Sequence, residues 1–381
     1  MNPLTPIQPT TTTQPRPPLS ATAMRVSTLE LFFDLVFVFT ITQVTHLVTE
    51  AHDGTDLLRA FLVLSVTWWM YDGYAWLTNN IGTEGTAARL LLLCGMAGFL
   101  VMALATPRVA DRDGLAFGLA YVAIVLVHLA LFMRAPNSSA RAMYRVAPFN
   151  LAAALLVVAA GLAPARWNLA FWVAAILTLL TTIVIRGDRG FQLRADHFAE
   201  RHGAILLIAL GESVVDLGVG AGDVPVRLPI VRAAVLGLAL AAALWWSYFD
   251  RDDIGGEHAL MRVDAAERAR LSLQAYWFAH LLMIAGIVVA AAGLQGVMTS
   301  VVRPVPSVTA WRLAAGVAMY LAGDVLFRHV LRLGSLLGRL TVATLAVATA
   351  VVGLAVGYIA QLTLLVLLLT GMLTVERRTT R

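Results

Sequence analysis

The sequence predicts an all-α, polytopic transmembrane helix bundle of about twelve spans, built as two parallel six-helix repeats. Three observations predict this fold class. Hydrophobic residues occupy 59% of the 381 positions and charged residues 13%, with a mean hydropathy of +0.78, a balance too apolar for an ordinary soluble globule. The apolar residues fall into segments close to the ~20 residues that a helix needs to cross a bilayer. Finally, sequence features of the first half recur in order in the second.

Twelve apolar segments carry the predicted spans. Those of the first repeat cover residues 29–49, 57–78, 89–106, 114–133, 144–162 and 168–186, and those of the second cover residues 203–221, 231–250, 271–292, 309–330, 339–355 and 358–374. Glycines interrupt the seventh span and only a short turn separates the last two, so eleven or twelve spans are expected. With the N-terminus inside, the cytoplasmic segments hold 20 arginines and the outer loops 8, which predicts that both termini are cytoplasmic.

The predicted domain boundaries follow this division. Residues 1–24 are rich in Pro and Thr and nearly free of large apolar side chains, which predicts a disordered tail and not a secretory signal peptide. Residues 25–190 and 191–376 form the two repeats, and residues 377–381 form a cytoplasmic tail. Because each repeat has an even number of spans, the two insert in the same direction, related by an axis along the membrane normal.

Matching residues connect the two repeats. When Glu30 is aligned with Glu200, Gln43 falls on Ser213. The copies differ at the acidic positions between these residues, so any functional pathway is expected to be asymmetric. Two further matches keep the same order: Trp68-Trp69 with Trp245-Trp246, and Leu131-Phe132 with Leu326-Phe327.

Composition also bounds the partners and the chemistry. All 28 basic residues are arginines, and in a membrane protein this predicts contact with anionic lipid headgroups and no nucleic-acid partner. The single cysteine, Cys94, excludes disulfides and cysteine-ligated metals within one chain. The sequence contains no nucleophile elbow, phosphate-binding glycine loop or Cys/His arrangement. We therefore expect no cofactor, no metal and no enzymatic activity.

The first candidate site is an acidic pair at the start of the first span. Glu30 and Asp34 are four residues apart and share one helix face, which continues through apolar residues such as Phe37 and Ile41. One interpretation is a cation-attracting entrance followed by a hydrophobic constriction. The other is a carboxylate pair that bonds arginines or helix ends at the interface. The sequence favours neither.

The second candidate site lies in the seventh span. Glu212 sits near the middle of that span between Gly211 and Ser213, with Asp216 on the same face one turn later. Ionisable groups near the bilayer centre are costly and often mark transport pathways. The glycine is expected to permit local unwinding, as in the broken helices where transporters bind ions. The alternative is a buried glutamate that fixes helix packing.

Six further polar residues are possible supporting residues. Gln43 and His46 are expected to bond neighbouring helices. Asp72 and Asp250 end the two matching Trp-Trp segments and are candidates for pairing with arginines across the halves. The remaining two are Glu200 and Asp324.

Spacing limits what these last two can do. Asp324 precedes Arg328 by four residues, which predicts an ion pair within one helix. Glu200 lies between His197 and His202, which are five apart and so about 140° around a helix, whereas a zinc-binding pair needs a spacing of four. A metal site is therefore not expected there.

Two motifs carry a resemblance to known families. The segments Glu30-Leu-Phe-Phe-Asp-Leu-Val-Phe-Val-Phe-Thr-Ile-Thr-Gln43 and Leu210-Gly-Glu-Ser213, the second preceded by Glu-Arg-His-Gly, resemble those of the bacterial low temperature requirement A (LtrA) family. The resemblance covers nearly everything after the tail. It implies a multi-pass protein of the bacterial inner membrane, in a family named for a growth phenotype in the cold.

The first helix has a second, weaker resemblance. Its segment Asp34-Leu-Val-Phe-Val-Phe-Thr-Ile-Thr42 is similar to the Phe-Ser-Asp motif of the endolysosomal and bacterial potassium/proton channel family, which is also built of six-helix units. Phe33 stands at the serine position of that motif, and Ala204 stands at the aspartate position in the second copy. This resemblance implies a distantly shared architecture with an altered, asymmetric pathway.

The leading functional hypothesis is a translocator of ions or small solutes. Its path would run between the halves, lined by the acidic residues of the first and seventh spans. The alternative is a non-transporting membrane scaffold, sensor or stress-response factor whose acidic residues hold helices together. An intramembrane enzyme ranks last.

Overall fold

The computed structural model describes residues 26–81, 85–134, 139–185, 190–222, 225–301 and 304–379. The predicted disordered tail, residues 1–24, lies outside the described residues. Within them, every element of regular secondary structure is a helix, so the predicted all-α class is confirmed.

The first half contains six helices. They are α1 (Thr28–Glu50), α2 (Gly54–Asn80), α3 (Thr86–Ala105), α4 (Gly114–Phe132), α5 (Ser139–Leu162) and α6 (Ala165–Val184), with a 3₁₀ turn (Thr106–Arg108) after α3. Each of them coincides with one predicted span.

The described part of the second half contains eight helices, of which α9 and α10 are short. They are α7 (Ala195–Ala221), α8 (Leu228–Phe249), the short α9 (Asp252–Met261), α10 (Ala265–Ser272), α11 (His280–Ser300), α12 (Val308–Leu331), α13 (Leu337–Ala355) and α14 (Tyr358–Thr379). A π-helical segment, Leu273–Ala279, joins α10 to α11, so that these three form one continuous helix.

Helix count and apolarity make this a multi-pass membrane protein. Among the described residues, eleven helical segments are long and apolar enough to cross a membrane. α2 is the long helix that falls outside this set, because its second half is rich in Trp, Tyr, Asp and Asn. These side chains face protein: Trp68, Tyr71 and Tyr74 are fully buried. α2 is thus a central helix whose polar side is covered by its neighbours.

The helix starts that lie furthest from their predicted positions are those of α7 and of the helix that contains α11. α7 begins at Ala195, eight residues before the predicted start at 203, and the helix that contains α11 begins at Ala265 instead of 271. In both cases the additional turns carry charged residues, which a hydropathy window excludes. The extra turns of α7 are essential to the candidate site, because they hold a buried arginine.

The helices of each half have the same order of neighbours. In the first half, α1 packs against α2 and α3, each of α3 to α6 packs against the next, and α6 returns to α2. In the second, α7 packs against α8 and α11, the chain of contacts runs from α11 to α14, and α14 returns to α8. This order agrees with a six-helix repeat, although the symmetry of the two halves stays a prediction.

The α11–α12 pair is held together by close backbone contact. Gly286 and Gly293 on α11 are seven residues apart, as are Gly316 and Gly323 on α12. A Cβ on Gly293 would lie 2.7 Å from the Leu313 backbone nitrogen, and one on Gly316 would overlap the Ala290 backbone. Small residues allow such packing in membranes, where apolar burial provides little driving force between helices.

We predict that Gly316→Ala destabilises the protein by about 1–3 kcal/mol, because the added methyl group must push α11 and α12 apart. Gly211→Ala is the matched control: its Cβ would meet no atom within 4 Å, so the variant is expected to be neutral or up to about 1 kcal/mol more stable. Thermal unfolding in detergent measures both. Equal unfolding temperatures for the two variants would contradict the packing described here.

Candidate functional site: a buried ionic cluster between α1, α2 and α7

The two helices that carry the acidic candidates face each other. The Thr42 hydroxyl on α1 donates a 2.6 Å hydrogen bond to Glu212 Oε1 on α7, and the Val26 backbone amide donates to Glu200 Oε2 at 3.2 Å. Contacts between α1 and α7 therefore run along much of their length. The predicted acidic sites belong to one interface.

Arg201 of α7 occupies the centre of this interface. Its Nη1 donates to Glu30 Oε1 at 3.0 Å and to the Thr78 hydroxyl at 3.1 Å. Its Nη2 donates to Asp34 Oδ1 at 2.9 Å. The Tyr71 hydroxyl on α2 donates to the same Asp34 oxygen at 2.9 Å. We call these five residues the Arg201 cluster; it connects three helices.

The first turn of α1 fixes one carboxylate of the cluster. Ser27 is the N-cap of α1: its hydroxyl accepts a hydrogen bond from the Glu30 amide, and Glu30 Oε2 accepts one from the Ser27 amide at 2.9 Å. This reciprocal capping box satisfies backbone donors that would otherwise be unpaired. His197 Nε2 lies 3.2 Å from Glu30 Oε1. Glu30 is therefore held from three directions before any ligand is considered.

The Arg201 cluster is dry. Asp34 and Arg201 are fully buried and Glu30 is 4% exposed. The guanidinium also lies over two aromatic rings, 5.3 Å from the centroid of Phe33 and 5.7 Å from that of Tyr71. A buried ion pair of this kind adds modest net stability when complete but is costly to break.

The cluster decides between the two interpretations of the acidic pair. Glu30 and Asp34 are turned onto Arg201 inside the protein and are not exposed to attract cations. The interpretation of an open cation entrance is therefore wrong, because both carboxylates are buried and paired with the Arg201 guanidinium. The apolar face beyond it exists as predicted: Phe37 and Ile41 are at most 1% exposed.

A second polar pair links α7 to α2. His202 Nε2 lies 3.1 Å from Asp72 Oδ1, and His202 Nδ1 lies 2.9 Å from the Phe198 carbonyl. A carbonyl only accepts, so Nδ1 carries a proton, and the remaining proton must sit between Nε2 and the carboxyl group. Asp72 was predicted to pair with an arginine across the halves. The cross-half pairing exists, but its partner is a histidine, because Arg201 is already occupied by α1.

The third histidine of this region is fixed by the π-helical segment. His280 Nδ1 lies 3.1 Å from the Ala275 carbonyl, and the Tyr248 hydroxyl lies 3.2 Å from His280 Nε2. By the same reasoning Nδ1 is the donor and Nε2 accepts from the tyrosine. The His202 and His280 rings are 5.5 Å apart, edge to face. The core thus contains neighbouring, hydrogen-bonded side chains from α2, α7, α8 and α11.

The histidines do not converge on one point. His197 contacts Glu30 and His202 contacts Asp72, while Glu200 is exposed and bonds the Val26 amide. Within the described ranges, no group of three or more His, Cys, Asp or Glu side chains is arranged to hold a metal ion. The spacing of five between the two histidines sends them to different partners.

The middle of α7 carries the second pair of acids. Glu212 is half-buried and bonded to Thr42. Asp216 is 2% exposed, and its Oδ2 has no hydrogen-bond partner among the described residues. Arg201 precedes Glu212 by eleven residues, or about 16 Å along a helix. Phe37, Ile41 and their neighbours lie on the stretch of α1 between the two acidic sites.

The predicted unwinding at Gly211 is wrong. α7 is a continuous helix from Ala195 to Ala221, and Gly211 lies on its exposed face. Ser213 is buried and its hydroxyl donates to the Leu210 carbonyl at 2.7 Å, within the helix. The glycine with a structural role is Gly220, where a Cβ would lie 2.5 Å from the Gln295 carbonyl oxygen of α11.

Gln43 and His46 do not have the expected partners. Within the described residues, neither side chain forms a hydrogen bond to a neighbouring helix. Both are only half-buried, which removes the requirement for a protein partner. The interhelical bonds of α1 come instead from Thr42 and from Thr49, whose hydroxyl lies 3.1 Å from Gln295 Oε1.

A separate ionic cluster lies in the second half. Arg339 on α13 donates to Asp252 Oδ2 at 2.8 Å, to Glu376 Oε1 at 3.1 Å and to Asp324. The predicted pairing of Asp324 with Arg328 on its own helix is wrong, because Asp324 is fully buried and reaches Arg339. Arg328 bonds Asp252 instead.

Asp250 lies at the edge of the same region. Its Oδ1 is 2.7 Å from Arg377 Nη2 and accepts from Trp246 Nε1 at 3.0 Å. The predicted arginine partner is present, but it belongs to α14 of the same half and not to the other half.

The comparisons with known proteins agree with this architecture. A bundle of long apolar helices around buried ion pairs defines a polytopic integral membrane protein. The profile described as "Bacterial low temperature requirement A protein (LtrA)" matches residues 25–375, and the chain belongs to this bacterial family. It is also 25% identical over 278 residues to an uncharacterized protein of Rhizobium meliloti (strain 1021), covering 69% of this chain and 67% of the relative.

We predict that Arg201→Gln destabilises the protein by about 3–5 kcal/mol, because Glu30 and Asp34 lose their shared counter-ion in a dry interior. Arg59→Gln is the control. It removes a partly exposed pair with Asp56 on α2 and should cost at most about 1 kcal/mol. Thermal unfolding in detergent compares the two variants.

A compensating variant separates charge from packing. Arg201→Gln combined with Glu30→Gln and Asp34→Asn removes all three charges, and is expected to recover more than half of the lost stability. A triple variant no more stable than Arg201→Gln would show that the arginine acts through shape and not through charge.

Proposed function

We propose that this LtrA-family protein is a translocator of ions or small solutes, and that a proton or monovalent cation is the species carried. The site assigned to that ion is Glu212 and Asp216 on α7, at the interface with α1. No catalytic step is part of the proposal. The observation that carries it is Asp216, a carboxyl group 2% exposed whose Oδ2 has no hydrogen-bond partner within the described residues.

The argument rests on the cost of a buried charge. An uncompensated carboxylate in a low-dielectric interior costs several kcal/mol, and binding a proton or a cation removes most of that cost. Glu212, one turn away on α7, would repel an ionised Asp216. Glu212 and Asp216 form no ion pair with an arginine among the described residues. The two carboxyl groups are therefore expected to bind one proton or cation between them. By contrast, Glu30 and Asp34 share the Arg201 guanidinium as counter-ion, although Asp34 Oδ2 also has no hydrogen-bond partner among the described residues.

The Arg201 cluster then has a positioning role. It fixes α1 against α7 at one end, while the Thr42–Glu212 hydrogen bond is the polar contact near the ion site. The apolar stretch of α1 between them acts as the barrier of the proposed pathway. With both termini in the cytoplasm, as the arginine distribution predicts, the Arg201 cluster lies on the cytoplasmic side and Glu212 towards the outer side.

Proton-exchanging groups near the cluster favour a proton over a larger ion. His202 Nε2 lies within hydrogen-bond distance of Asp72 Oδ1, and His280 with Tyr248 lies beside this pair. Side chains of this kind form proton relays in membrane proteins. The route from this group to Asp216 is part of the proposal.

One observation favours the alternative, a non-transporting scaffold, sensor or stress-response factor. Buried arginines in both halves, Arg201 and Arg339, form ion pairs with carboxylates of other helices. In that case Glu212 and Asp216 would serve packing alone. Their substitution would then change stability without changing any permeability.

We predict that the reconstituted protein increases proton or monovalent-cation flux across vesicle membranes. Asp216→Asn should lower that flux by at least about tenfold, since the amide cannot exchange an ion. Glu212→Gln should lower it as well. A pH-sensitive dye inside the vesicles, with an imposed K⁺ gradient, measures proton flux, and K⁺ and Na⁺ are exchanged in parallel experiments.

Asp111→Asn is the control, because Asp111 is exposed in the α3–α4 connection. Asp216→Asn should unfold at the same temperature as the wild type or at a higher one, since an unpaired acid is neutralised. Unchanged flux in both α7 variants would reject the pathway, and lower stability with unchanged flux would favour the scaffold.

A further inference from the structure

An open groove lies at the end of the bundle where α12 finishes. It has a volume of about 990 Å³ and runs between the α10–π-helical segment and the last turns of α12. Its wall includes the apolar side chains of Leu271, Phe278, Leu326 and Val330. In the predicted orientation this end faces the cytoplasm, so the groove lies at the level of the lipid headgroups.

The rim of the groove is basic. Arg262, Arg270, His329 and Arg332 line it and are exposed. Glu267 is the acidic residue of the lining, and it is 3.3 Å from Arg270. Arg262 and Arg332 form no ion pair among the described residues. The groove therefore combines an apolar wall with unneutralised positive charge.

Arg332 has an unusual backbone conformation. It follows the last turn of α12 with φ 57° and ψ 47°, and it is the non-glycine residue with positive φ in the described part of the chain. Glycine is usual at this helix-terminating position, because a Cβ is unfavourable there. A glycine at this position would make the folded protein more stable than the arginine does. The positive charge of Arg332 therefore points to a role in binding and not in folding.

We propose that this groove binds an anionic phospholipid. Arg262 and Arg332 would hold the headgroup phosphate, since guanidinium groups bind phosphate oxygens in pairs. The acyl chains would lie along Phe278, Leu326 and Val330. Free phosphate would bind the arginines but leave the apolar wall uncovered. A phospholipid would contact the arginines with its phosphate and the apolar wall with its acyl chains. The proposal is independent of ion translocation.

The test uses the full-length protein purified in detergent. Dioleoyl-phosphatidylglycerol, dioleoyl-phosphatidylcholine and inorganic phosphate are added separately, and native mass spectrometry and thermal unfolding are recorded. Phosphatidylglycerol should stay bound and raise the unfolding temperature, and phosphatidylcholine should do neither. Arg332→Gly and Arg262→Gln should each weaken phosphatidylglycerol binding about fivefold.

Arg332→Gly also controls for folding. Glycine accepts the left-handed conformation, so this variant should be as stable as the wild type or more stable while it loses lipid. Arg141→Ala, at an exposed arginine in the first turn of α5 on the same predicted face, should bind normally. Equal binding of the two lipids, unchanged phosphatidylglycerol binding by both Arg332→Gly and Arg262→Gln, or equal stabilisation by phosphate alone would overturn the proposal.

Discussion

The pairing of one arginine with two carboxylates from a facing helix is the constraint on which this structure depends. In a membrane interior a buried charge needs a partner, and for Glu30 and Asp34 that partner comes from a facing helix. Arg201 meets this requirement for Glu30 and Asp34 together. The orientation of α1 against α7, and with it the boundary between the two halves, follows from that single set of bonds. The helices around it then pack by shape, as the glycines of α11 and α12 illustrate.

The same constraint divides the interface into two parts with different chemical properties. Near Arg201 the two carboxylates share one guanidinium, and one oxygen of each accepts a hydrogen bond from it. Farther along α7, Glu212 has only a hydroxyl partner and Asp216 Oδ2 has none within the described residues. A carboxylate that already has an arginine partner gains little by binding a further cation. A buried carboxylate without a counter-ion is stabilised when it binds a proton or a cation. The two ends of the α1–α7 interface thus differ in whether their carboxyl groups have a counter-ion.

Sequence patterns predicted the helices far better than the contacts between charged groups. Hydropathy located all twelve long helices, because apolar length is a local property. It missed the first turns of α7, since the polar residues there lie below any hydropathy threshold, and with them it missed the role of Arg201. One sequence signal could have predicted the role of Arg201. It is an arginine next to an apolar span in a sequence that also contains an acidic pair without a local partner. The predicted ion pair between Asp324 and Arg328 was wrong because it was inferred only from their spacing along one helix. In the folded protein Asp324 is paired with the guanidinium of Arg339 on another helix. The predicted unwinding of α7 at Gly211 was wrong because a glycine permits unwinding but does not require it.

The π-helical segment lies within the longest helix of the described residues, between the basic groove and the core histidines. From Ala265 to Ser300 this helix is about 54 Å long, well beyond the ~30 Å hydrocarbon layer. One end borders the basic groove and the middle carries His280, which packs against His202. The wider turn of Leu273–Ala279 lies between them, and π-helical turns of this kind frequently occur at functional sites. A one-residue change of register at this turn would rotate the groove wall relative to the core histidine by about 100°. One continuous helix therefore sets both the shape of the groove at the membrane surface and the position of the histidine in the protein interior.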